Sequence, residues 1–490
     1  MTGVEAAHLP AIDGASDESV RCAVDTRKIV VCVEDDLDPV AASAAATLVS
    51  VLARTFPHIE VRGDVAIGAN PWGVSMLSEL LDVIERARPT AAVEAEHEYV
   101  IAIGDSIGAA DLWVGGGDWT VLVGKGPQPV ATCRTALGLH AGAALAAAEA
   151  VKTALAPLGM LVVPMADQLV WNLIDYHLTP APPAAAVPER LAIDLVLFGA
   201  GSVGSSTAGV LACTPGLCGT AVVVDPDTFD ATRNPPRYPA STGNESGSKA
   251  AWVAELLAGA GLSAEHRAER VGDWVRRQEH PGVEATVVSS VDTLDGRLQV
   301  ADAVARTTLT LGVGGMALHL QRSHHDDELA CPFCEYVSAV PTLTQTAARA
   351  AAVGLTVERA GQLELNHGLL TEVDVQAAVA AGRLDPARAS DLVGRRLEDL
   401  LRRAYAEASV PLAGGGEARV GAPYVSLMAG ALAAAELLKT AMSIPLIDRR
   451  VDLDLTGVPL GVVSRPPRDL TGRCTCSSGL RRRWAARLYR

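Results

Sequence analysis

Basic residues are scarce in this chain of 490 residues. It contains 41 lysines and arginines against 57 aspartates and glutamates, which gives a formal net charge of −16. Binding to nucleic acid requires a basic surface that neutralises phosphates, so we expect no nucleic-acid partner. Residues 481–490 differ from the rest of the chain because five of them are arginines, and we predict a short basic tail there.

Long apolar segments are also lacking, although 49% of the residues are hydrophobic. No run approaches the roughly 18 uncharged apolar residues that favour a membrane-spanning helix. The alanine-rich stretch 141–151 is too short and contains Glu149. We therefore expect no membrane segment.

The first residues of the chain lack the apolar core of a secretory leader. Nine cysteines in the whole sequence, without such a leader, suit a reducing compartment. We therefore expect a cytoplasmic protein.

The length of the chain predicts more than one domain. The run 179–190 is rich in proline and alanine and is the best candidate for a linker. It separates an N-terminal α/β region, 1–178, from a second region, 191–480, in which an insertion near 342–415 has patterns typical of helices.

Two apolar runs of the second region have the spacing of a strand–helix–strand unit. The first run, 193–198, leads directly into a glycine loop, and the second, 220–224, ends in Asp225. A carboxylate at the end of the second strand is placed to accept hydrogen bonds from the hydroxyls of a ribose. This order of elements predicts a nucleotide-binding site.

The loop between these runs contains Gly199, Gly201 and Gly204. The first glycine permits a tight turn, the second lets a phosphate approach the backbone, and the third lets helix and strand pack closely. The N-terminus of the following helix offers unpaired amides and a partial positive charge. The loop therefore indicates a phosphate ligand without saying which nucleotide carries it.

The polar residues after the second strand narrow the choice of nucleotide. Asn234, Arg237 and Lys249 follow Asp225 and Asp227, and two cations at this point favour chemistry at phosphates over hydride transfer. An NAD(P)-dependent oxidoreductase would use the same glycine loop and Asp225, but it gives the two cations no role. It remains an alternative function.

These segments resemble motifs of the ubiquitin-activating enzyme superfamily, in its bacterial ThiF/MoeB-type adenylyltransferase form, over roughly residues 191–476. The family has an Asp-x-Asp after the second strand, an Asn-x-x-Arg segment, a Gly-x-Lys-Ala-like segment and an Asp after the next strand. The corresponding residues here are Asp225, Asp227, Asn234, Arg237, Lys249 and Asp292.

The resemblance implies a Rossmann-like, mostly parallel sheet flanked by helices. It also implies that ATP activates a carboxylate, the C-terminus of a ubiquitin-like protein or a peptide, as an acyl-adenylate. In this interpretation the catalytic residues are Arg237, Lys249 and Asp292, the last as a ligand of Mg²⁺. The ATP-binding residues would be Gly199, Gly201, Gly204, Asp225, Asp227 and Asn234.

Two pairs of cysteines could hold a metal. Cys331 and Cys334 form one pair, Cys474 and Cys476 the other, and four thiolates suit a tetrahedral Zn²⁺. The resemblance also implies a structural zinc at these positions. The alternative is a redox dithiol at the first pair with an incidental second pair.

No cysteine lies between Cys334 and Cys474. Members of the family that form a thioester carry a nucleophilic cysteine in this interval, and a thiolate is the nucleophile that such chemistry needs. We therefore expect an acyl-adenylate without an enzyme thioester.

The N-terminal region lacks a glycine loop of the required form but contains strand-like runs. The sequence Leu-Ala-Ala-Ala-Glu-x-x-Lys occurs in it at 145–152 and again at 432–439. Either these are two unrelated alanine-rich helices, or the N-terminal region is a degenerate copy of the adenylation fold. A degenerate copy would give a pseudo-dimeric monomer, and its absence would favour a homodimer.

A catalytically impaired enzyme is a further alternative, serving as a nucleotide- or peptide-binding scaffold. Tyr238 stands where the family usually has glutamine, and the stretch 171–176 lacks the arginine that the family supplies from a partner subunit. Both departures concern the surroundings of the predicted ATP site.

Overall fold

The fold is taken from a computed structural model. The residues it describes are 17–91, 93–158, 165, 167–180, 184–231, 233–279, 282–292, 294–324, 330–331, 334, 350, 353–366, 368–381, 383–384, 386–397, 400, 409–411, 417–419, 422–445, 447, 450–457, 459, 462–466, 468–469, 471–472 and 474–489.

The chain divides into two compact units. The smaller contains Ser338–Val420 together with Met1–Ala7, and the larger contains His8–Val337 and Gly421–Arg490. Both predicted sites belong to the larger unit. That unit contains two sheets. We call residues 17–178, which include the first sheet, the N-terminal half, and residues 191–337 and 421–490, which include the second sheet, the C-terminal half.

The N-terminal half contains a six-stranded sheet of order β2-β1-β3-β4-β5-β6. Its strands are β1 (Arg27–Val33), β2 (His58–Arg62), β3 (His97–Ile103), β4 (Leu112–Gly116), β5 (Thr120–Gly124) and β6 (Gln168–Asn172). Its helices are α1 (Asp17–Asp25), α2 (Pro39–Ala53), α3 (Leu80–Val83) and α4 (Leu137–Leu155). The first four strands are parallel, and β5 and β6 are antiparallel to their neighbours.

The C-terminal half contains an eight-stranded sheet of order β16-β15-β12-β11-β10-β7-β8-β9. Its strands are β7 (Leu191–Phe198), β8 (Leu217–Val224), β9 (Ser263–Arg267), β10 (Thr286–Ser289), β11 (Thr307–Gly314), β12 (Ala317–His324), β15 (Arg450–Asp454) and β16 (Val463–Ser464). Its helices are α5 (Ser202–Ala212), α6 (Lys249–Gly259), α7 (Val271–Arg277), α8 (Leu294–Asp302), α11 (Pro423–Ala441) and α12 (Gly479–Leu488). Strands β7 to β11 are parallel, as the nearly continuous apolar runs at β7 and β8 suggest for a buried sheet.

The two sheets share one topology. The order β2-β1-β3-β4-β5-β6 corresponds strand by strand to β8-β7-β10-β11-β12-β15, with the same parallel and antiparallel pairings. Helix α2 joins the first two strands of one sheet as α5 does in the other, and α4 and α11 each precede the last shared strand. The predicted α/β fold class is therefore confirmed, and the N-terminal half repeats the strand order of the C-terminal half.

The two copies of Leu-Ala-Ala-Ala-Glu-x-x-Lys lie in equivalent helices that pack against each other. Helix α4 packs on β4 and β5, α11 packs on β11 and β12, and the two helices meet between the sheets. The close approach of α11 to α5 depends on Gly430, where an added Cβ would lie 2.6 Å from the backbone of Ser206. The repeated sequence thus marks the interface between the halves.

The Glu and Lys residues of this repeat are buried. Glu436 and Lys439 are both 0% exposed and joined by a 2.6 Å ion pair. Glu149 and Lys152 form the corresponding ion pair in α4, with both side chains below 10% exposure. Each pair therefore lies within the core rather than at the surface.

Helix α4 and the turn after it form the one stretch of the described residues that is long and apolar enough to cross a membrane. This stretch, Leu137–Leu158, extends beyond the alanine-rich segment that had looked too short. Since 78% of its apolar window is buried inside the protein, it has the character of a core helix.

The smaller unit has its own apolar core. It contains α9 (Val357–Leu365), α10 (Glu372–Ala380), a 3₁₀ helix at Pro386–Leu392 and a hairpin of β13 (Ser409–Pro411) and β14 (Glu417–Arg419). Arg359 joins the two α-helices through a bidentate contact of 2.7 Å to Asp374. Residues 342–349 and 401–408 of the predicted insertion lie outside the described residues.

Candidate active site and metal centre

Three neighbouring parallel strands of the C-terminal half end in the predicted site residues. Strand β7 lies between β8 and β10, and the glycine loop, Asp225 and Asp292 follow β7, β8 and β10 respectively. Ligands of open α/β sheets bind at the carboxyl ends of the strands. The topology therefore brings together residues that are up to 93 positions apart between Gly199 and Asp292.

Gly199 makes the tight turn out of β7. Its φ of +95° is a conformation that side chains rarely adopt, and an added Cβ would lie 2.8 Å from Ser290 Oγ. That hydroxyl donates to the Gly199 carbonyl oxygen at 3.0 Å. The turn thus needs glycine here, and Ser290 is a supporting residue that the sequence analysis did not identify.

Helix α5 begins directly after this turn, with Gly201 as its N-cap and no side chain capping it. The first amides of the helix are directed at the space above the strand ends, where they and the helix dipole favour an anion. The loop predicted to bind phosphate therefore consists of this turn and the uncapped N-terminus of α5.

Asp225 is fixed beside the glycine loop. One carboxylate oxygen accepts from the Ala200 amide at 2.6 Å, and the other accepts from the Asp227 amide at 2.8 Å. The residue is buried, and burial raises the pKa of Asp225 while the two amides oppose that rise. Its carboxylate is therefore held in one orientation at the strand end.

Lys249 is the first residue of α6, and its side chain returns to the same strand end. Its Nζ lies 3.0 Å from Asp227 Oδ2, and the lysine side chain is only 12% exposed. Burial disfavours its charge, yet the neighbouring Tyr238 and Asp227 together raise the pKa of Lys249. The ammonium group is therefore charged at neutral pH.

Arg237 ends a 3₁₀ turn at Pro235–Arg237. Its Nε donates to the Arg233 carbonyl oxygen at 2.9 Å. Burial lowers the pKa of Arg237, while Tyr238 and the acidic side chains near it, Asp292 among them, act in the opposite direction. Arg237 therefore belongs to the same electrostatic cluster as the strand-end carboxylates.

Asn234 is buried and stabilises the turn at Pro235–Arg237 through its side-chain hydrogen bonds. Its Oδ1 accepts from the Asp230 amide at 2.6 Å, and its Nδ2 lies 3.4 Å from the Tyr238 hydroxyl. It is only 2% exposed. In this structure Asn234 shapes the segment that carries Arg237.

Tyr238 belongs to an aromatic cluster next to Lys249. Its ring stacks on Trp252 with centroids 5.8 Å apart, and Phe229 packs edge-on against both rings. Burial raises the pKa of Tyr238, so its hydroxyl is neutral at pH 7. Tyr238 thus contributes a hydroxyl between Asn234 and Lys249.

The four predicted metal ligands come together at a second place in the larger unit. The sulfur separations are 3.8 Å for Cys331–Cys334, 3.4 Å for Cys331–Cys474, 3.4 Å for Cys334–Cys476 and 3.5 Å for Cys474–Cys476. A tetrahedron of sulfurs about 2.3 Å from a central ion has edges of about 3.8 Å. The four thiols therefore fit a tetrahedral metal, and the second pair is not incidental.

No protein-family model and no curated protein matches the chain. Similar solved structures include E. coli MccB with MccA-N7isoAsn, 14% identical over 58% of this chain and 67% of MccB, with a TM-score of 0.35. Another is E. coli MccB with ATP, 12% identical over 58% and 67% of the two chains, with a TM-score of 0.34. A third is the microcin C7 biosynthetic enzyme MccB with N-formylated MccA, 14% identical over 59% and 68%, with a TM-score of 0.34.

The roles of individual residues rest on the contacts of this chain.

Proposed function

We propose that the protein is an ATP-dependent adenylyltransferase that activates the C-terminal carboxylate of a peptide or a small ubiquitin-like protein. The observation that carries the proposal is the convergence of the glycine loop, Asp225 and the pair of Lys249 with Asp227 at adjacent strand ends. A nucleotide site that handles triphosphate needs cations at the phosphates in addition to a ribose-binding acid. MccB has been solved with ATP and with the MccA peptide, the kinds of ligand proposed here.

In the proposed reaction a carboxylate oxygen of the substrate attacks the α-phosphorus of ATP. The bond from that phosphorus to the bridging oxygen breaks, pyrophosphate leaves with the electron pair, and an acyl-adenylate remains. The amides at Gly199–Gly204 bind phosphate oxygens, and Asp225 accepts from the ribose. Lys249 and Arg237 neutralise the charge that develops on pyrophosphate, and most of the acceleration comes from positioning and charge stabilisation.

Asp292 and Asp227 are the carboxylates available for Mg²⁺, which supplies further charge neutralisation at the phosphates. Asp292 is exposed at the end of β10, and Asp227 is 64% exposed. Oxygen ligands of this kind are those that Mg²⁺ prefers.

The four cysteines hold Zn²⁺ in this proposal, as a structural ion without an open coordination position. A reducing compartment keeps cysteines as thiols instead of disulfides, so the proposal places the protein in the cytoplasm. With no cysteine between Cys334 and Cys474, the acyl group passes to its acceptor without an enzyme thioester.

The first test measures nucleotide binding by calorimetry. ATP–Mg²⁺ should bind to the wild-type protein and much more weakly to Lys249→Ala, whereas NAD⁺ and NADPH should not bind. Binding of NAD⁺ without ATP would replace the proposal by the oxidoreductase alternative.

The second test measures turnover. Peptides with a free C-terminus are incubated with ATP, Mg²⁺ and hydroxylamine, which traps an acyl-adenylate as the hydroxamate. The same peptides with an amidated C-terminus are the matched control, because they lack the attacking oxygen. Hydroxamate should form only with the free carboxylates, and Lys249→Ala should lower its rate at least ~10²-fold if one charge contact is worth about 3 kcal/mol. ATP binding without any hydroxamate would favour the scaffold alternative.

A further inference from the structure

Arg54 is a fully buried cation at the end of α2, in the N-terminal half. Its exposure is 0%, and it is among the largest completely buried side chains of the protein. Among the described residues, no carboxylate lies within ion-pair distance of it. Since a buried charge is costly unless hydrogen bonds compensate it, the partners of Arg54 show what the charge is for.

Those partners are oxygen atoms of a loop in the C-terminal half and of α2 itself. Arg54 Nε donates to the Tyr238 carbonyl oxygen at 3.0 Å, and Nη2 donates to the Ser241 carbonyl oxygen. Nη1 donates to the Ser50 carbonyl oxygen at 2.9 Å and to Ser50 Oγ at 2.8 Å. The planar fork of the guanidinium thus spans both halves, a geometry that lysine cannot reproduce.

Two further donors of the N-terminal half reach the same loop. Ser50 Oγ donates to the Pro239 carbonyl oxygen at 2.7 Å, and Trp72 Nε1 donates to that oxygen at 3.2 Å. The carbonyls of residues 238, 239 and 241 are therefore all bound by the N-terminal half. The loop follows directly on Arg237 and contains Tyr238, which contacts Lys249.

Glu245 completes the network from the other side of the loop. It accepts from Ser241 Oγ at 2.5 Å and from the Thr242 amide at 2.6 Å, and its charge acts favourably on Arg54. The loop is thus held between a buried cation and a carboxylate.

The equivalent position in the C-terminal half carries no such cation. Cys213 follows α5 as Arg54 follows α2, and its thiol hydrogen-bonds Ser43 and Thr47 of α2. Burial raises the pKa of Cys213 to about 12, so it is neutral. Of these two equivalent positions, only the one that contacts the 238–241 loop beside the predicted ATP site therefore carries a charge.

We propose that Arg54 is a positioning residue for ATP binding, which anchors the 238–241 loop and thereby fixes Arg237 and Tyr238 at the phosphates. The inference rests on the proposed function, and it gives the N-terminal half a defined task there. Arg54 acts through the loop and does not itself touch the nucleotide.

The test compares Arg54→Met and Arg54→Lys with Lys152→Met, a matched control. Lys152 is also a buried cation that donates from the N-terminal half to a carbonyl of the C-terminal half, at 3.4 Å from Thr456 O, but it lies away from the loop. The dissociation constant of ATP–Mg²⁺, the unfolding temperature and amide hydrogen exchange of peptides covering 234–247 are measured for each variant.

Arg54→Met should weaken ATP–Mg²⁺ binding at least ~10-fold, a loss of about 1.4 kcal/mol, and should speed exchange in 234–247. Arg54→Lys should recover part of both effects. Lys152→Met should lower the unfolding temperature while leaving ATP affinity and exchange in 234–247 as in the wild type. Trp72→Phe, which removes one donor to Pro239 and keeps the cation, should show a smaller change in the same direction.

Wild-type affinity and wild-type exchange in Arg54→Met would overturn the proposal, and so would an equal loss of affinity in Lys152→Met. If Arg54→Met does not fold, ATP affinity and hydrogen exchange in Arg54→Lys and Trp72→Phe test the proposal instead, and wild-type values in both variants would overturn it. If the wild-type protein binds no ATP, the proposed function fails, and hydrogen exchange in 234–247 still decides whether Arg54 anchors the loop.

Discussion

The two halves of the larger unit have the same strand order but opposite chemistry at the first turn. After β7 the chain places Gly199 against Ser290, whereas after β1 it places Glu34 against Gly104. The small and the large residue have exchanged places, and the Glu34 carboxylate accepts from the Ser106 amide. In the N-terminal half the Glu34 side chain thus fills its own strand-end turn, whereas the equivalent space in the C-terminal half is left open by Gly199.

The helices that follow these turns differ in the same sense. Asp38 caps α2 by accepting from the amides of Val40 at 2.9 Å and Ala41 at 3.4 Å, whereas α5 has no side-chain cap. A phosphate would meet carboxylates at the start of α2 and backbone amides at the start of α5. One topology therefore yields a closed turn or an anion site according to a few residues at the strand end.

The metal site is a second difference between the halves. Within the described residues, the one group of ligands close enough to hold a metal consists of Cys331, Cys334, Cys474 and Cys476, all in the C-terminal half. Removing it by Cys474→Ser should have the largest effect on stability, because a structural zinc contributes on the order of 10 kcal/mol to its site. We expect one zinc per chain in the wild type, none in the variant, and a strongly lowered unfolding temperature.

Metal analysis and thermal unfolding with and without chelator would check this outcome. Cys133→Ser is the matched control, because Cys133 is a buried cysteine of the N-terminal half. It should keep its zinc. A metal-free wild-type protein that is unaffected by chelator would remove zinc from the comparison.

The buried ion pairs of α4 and α11 give a third, smaller contrast between the halves. Glu436 accepts from Lys439, from the Tyr176 hydroxyl at 2.6 Å and from the Ile447 amide at 2.9 Å, and Lys439 lies 4.2 Å from the centre of the Tyr176 ring. Lys439→Met leaves Glu436 buried without its cation, so we expect a loss of about 3–5 kcal/mol in the free energy of unfolding.

Lys152→Met should cost less, because Glu149 is 9% exposed and burial already raises the pKa of Glu149. Its carboxyl can therefore take up a proton when the lysine is lost. Urea unfolding of both variants measures the ranking. A larger loss in Lys152→Met would show that the α4 pair is the more tightly held of the two.

His140 in α4 is the fourth and smallest contrast. It lies five positions before Leu145, where α11 has Leu427 five positions before Leu432. Its exposure is 0%, and neither ring nitrogen has a hydrogen-bond partner among the described residues. Burial lowers the pKa of His140 to about 3, from an ordinary value of about 6.5.

Between these two pKa values only the unfolded chain binds the proton, so stability falls as the pH drops below about 6.5 and is fully present above it. At pH 5 this proton uptake lowers the free energy of unfolding by about 2 kcal/mol. His140→Leu, which copies the other half, should remove that part of the pH dependence. Unfolding measured at pH 7 and pH 5 tests this, and equal slopes in the wild type and the variant would contradict it.

The sequence predicted those features that depend on neighbours along the chain. The glycine loop with Asp225, and the cysteine pairs, each have local spacings that imply their chemistry, and the parallel strands then bring Asp292 to the same edge. Arg54 had no such signal, because an arginine after an apolar helix looks like an ordinary C-terminal cation. Its role depends on carbonyls 184 or more residues away.

The burial of Glu149 and Glu436 was unpredictable for the same reason. The pattern Glu-x-x-Lys on an isolated helix indicates an exposed pair, and only the packing of α4 against α11 places both pairs inside the protein. The repeated sequence indicated two related helices. How much their ion pairs contribute to stability depends on burial at the interface between α4 and α11.

The pairing of α4 with α11 occurs within one chain, and this has a consequence for how the protein behaves on dilution. A site completed by a separate subunit comes apart when the protein concentration falls below the dissociation constant. Here the covalent connection keeps the second half at a fixed and high effective concentration. The association of the two halves should therefore not depend on the protein concentration.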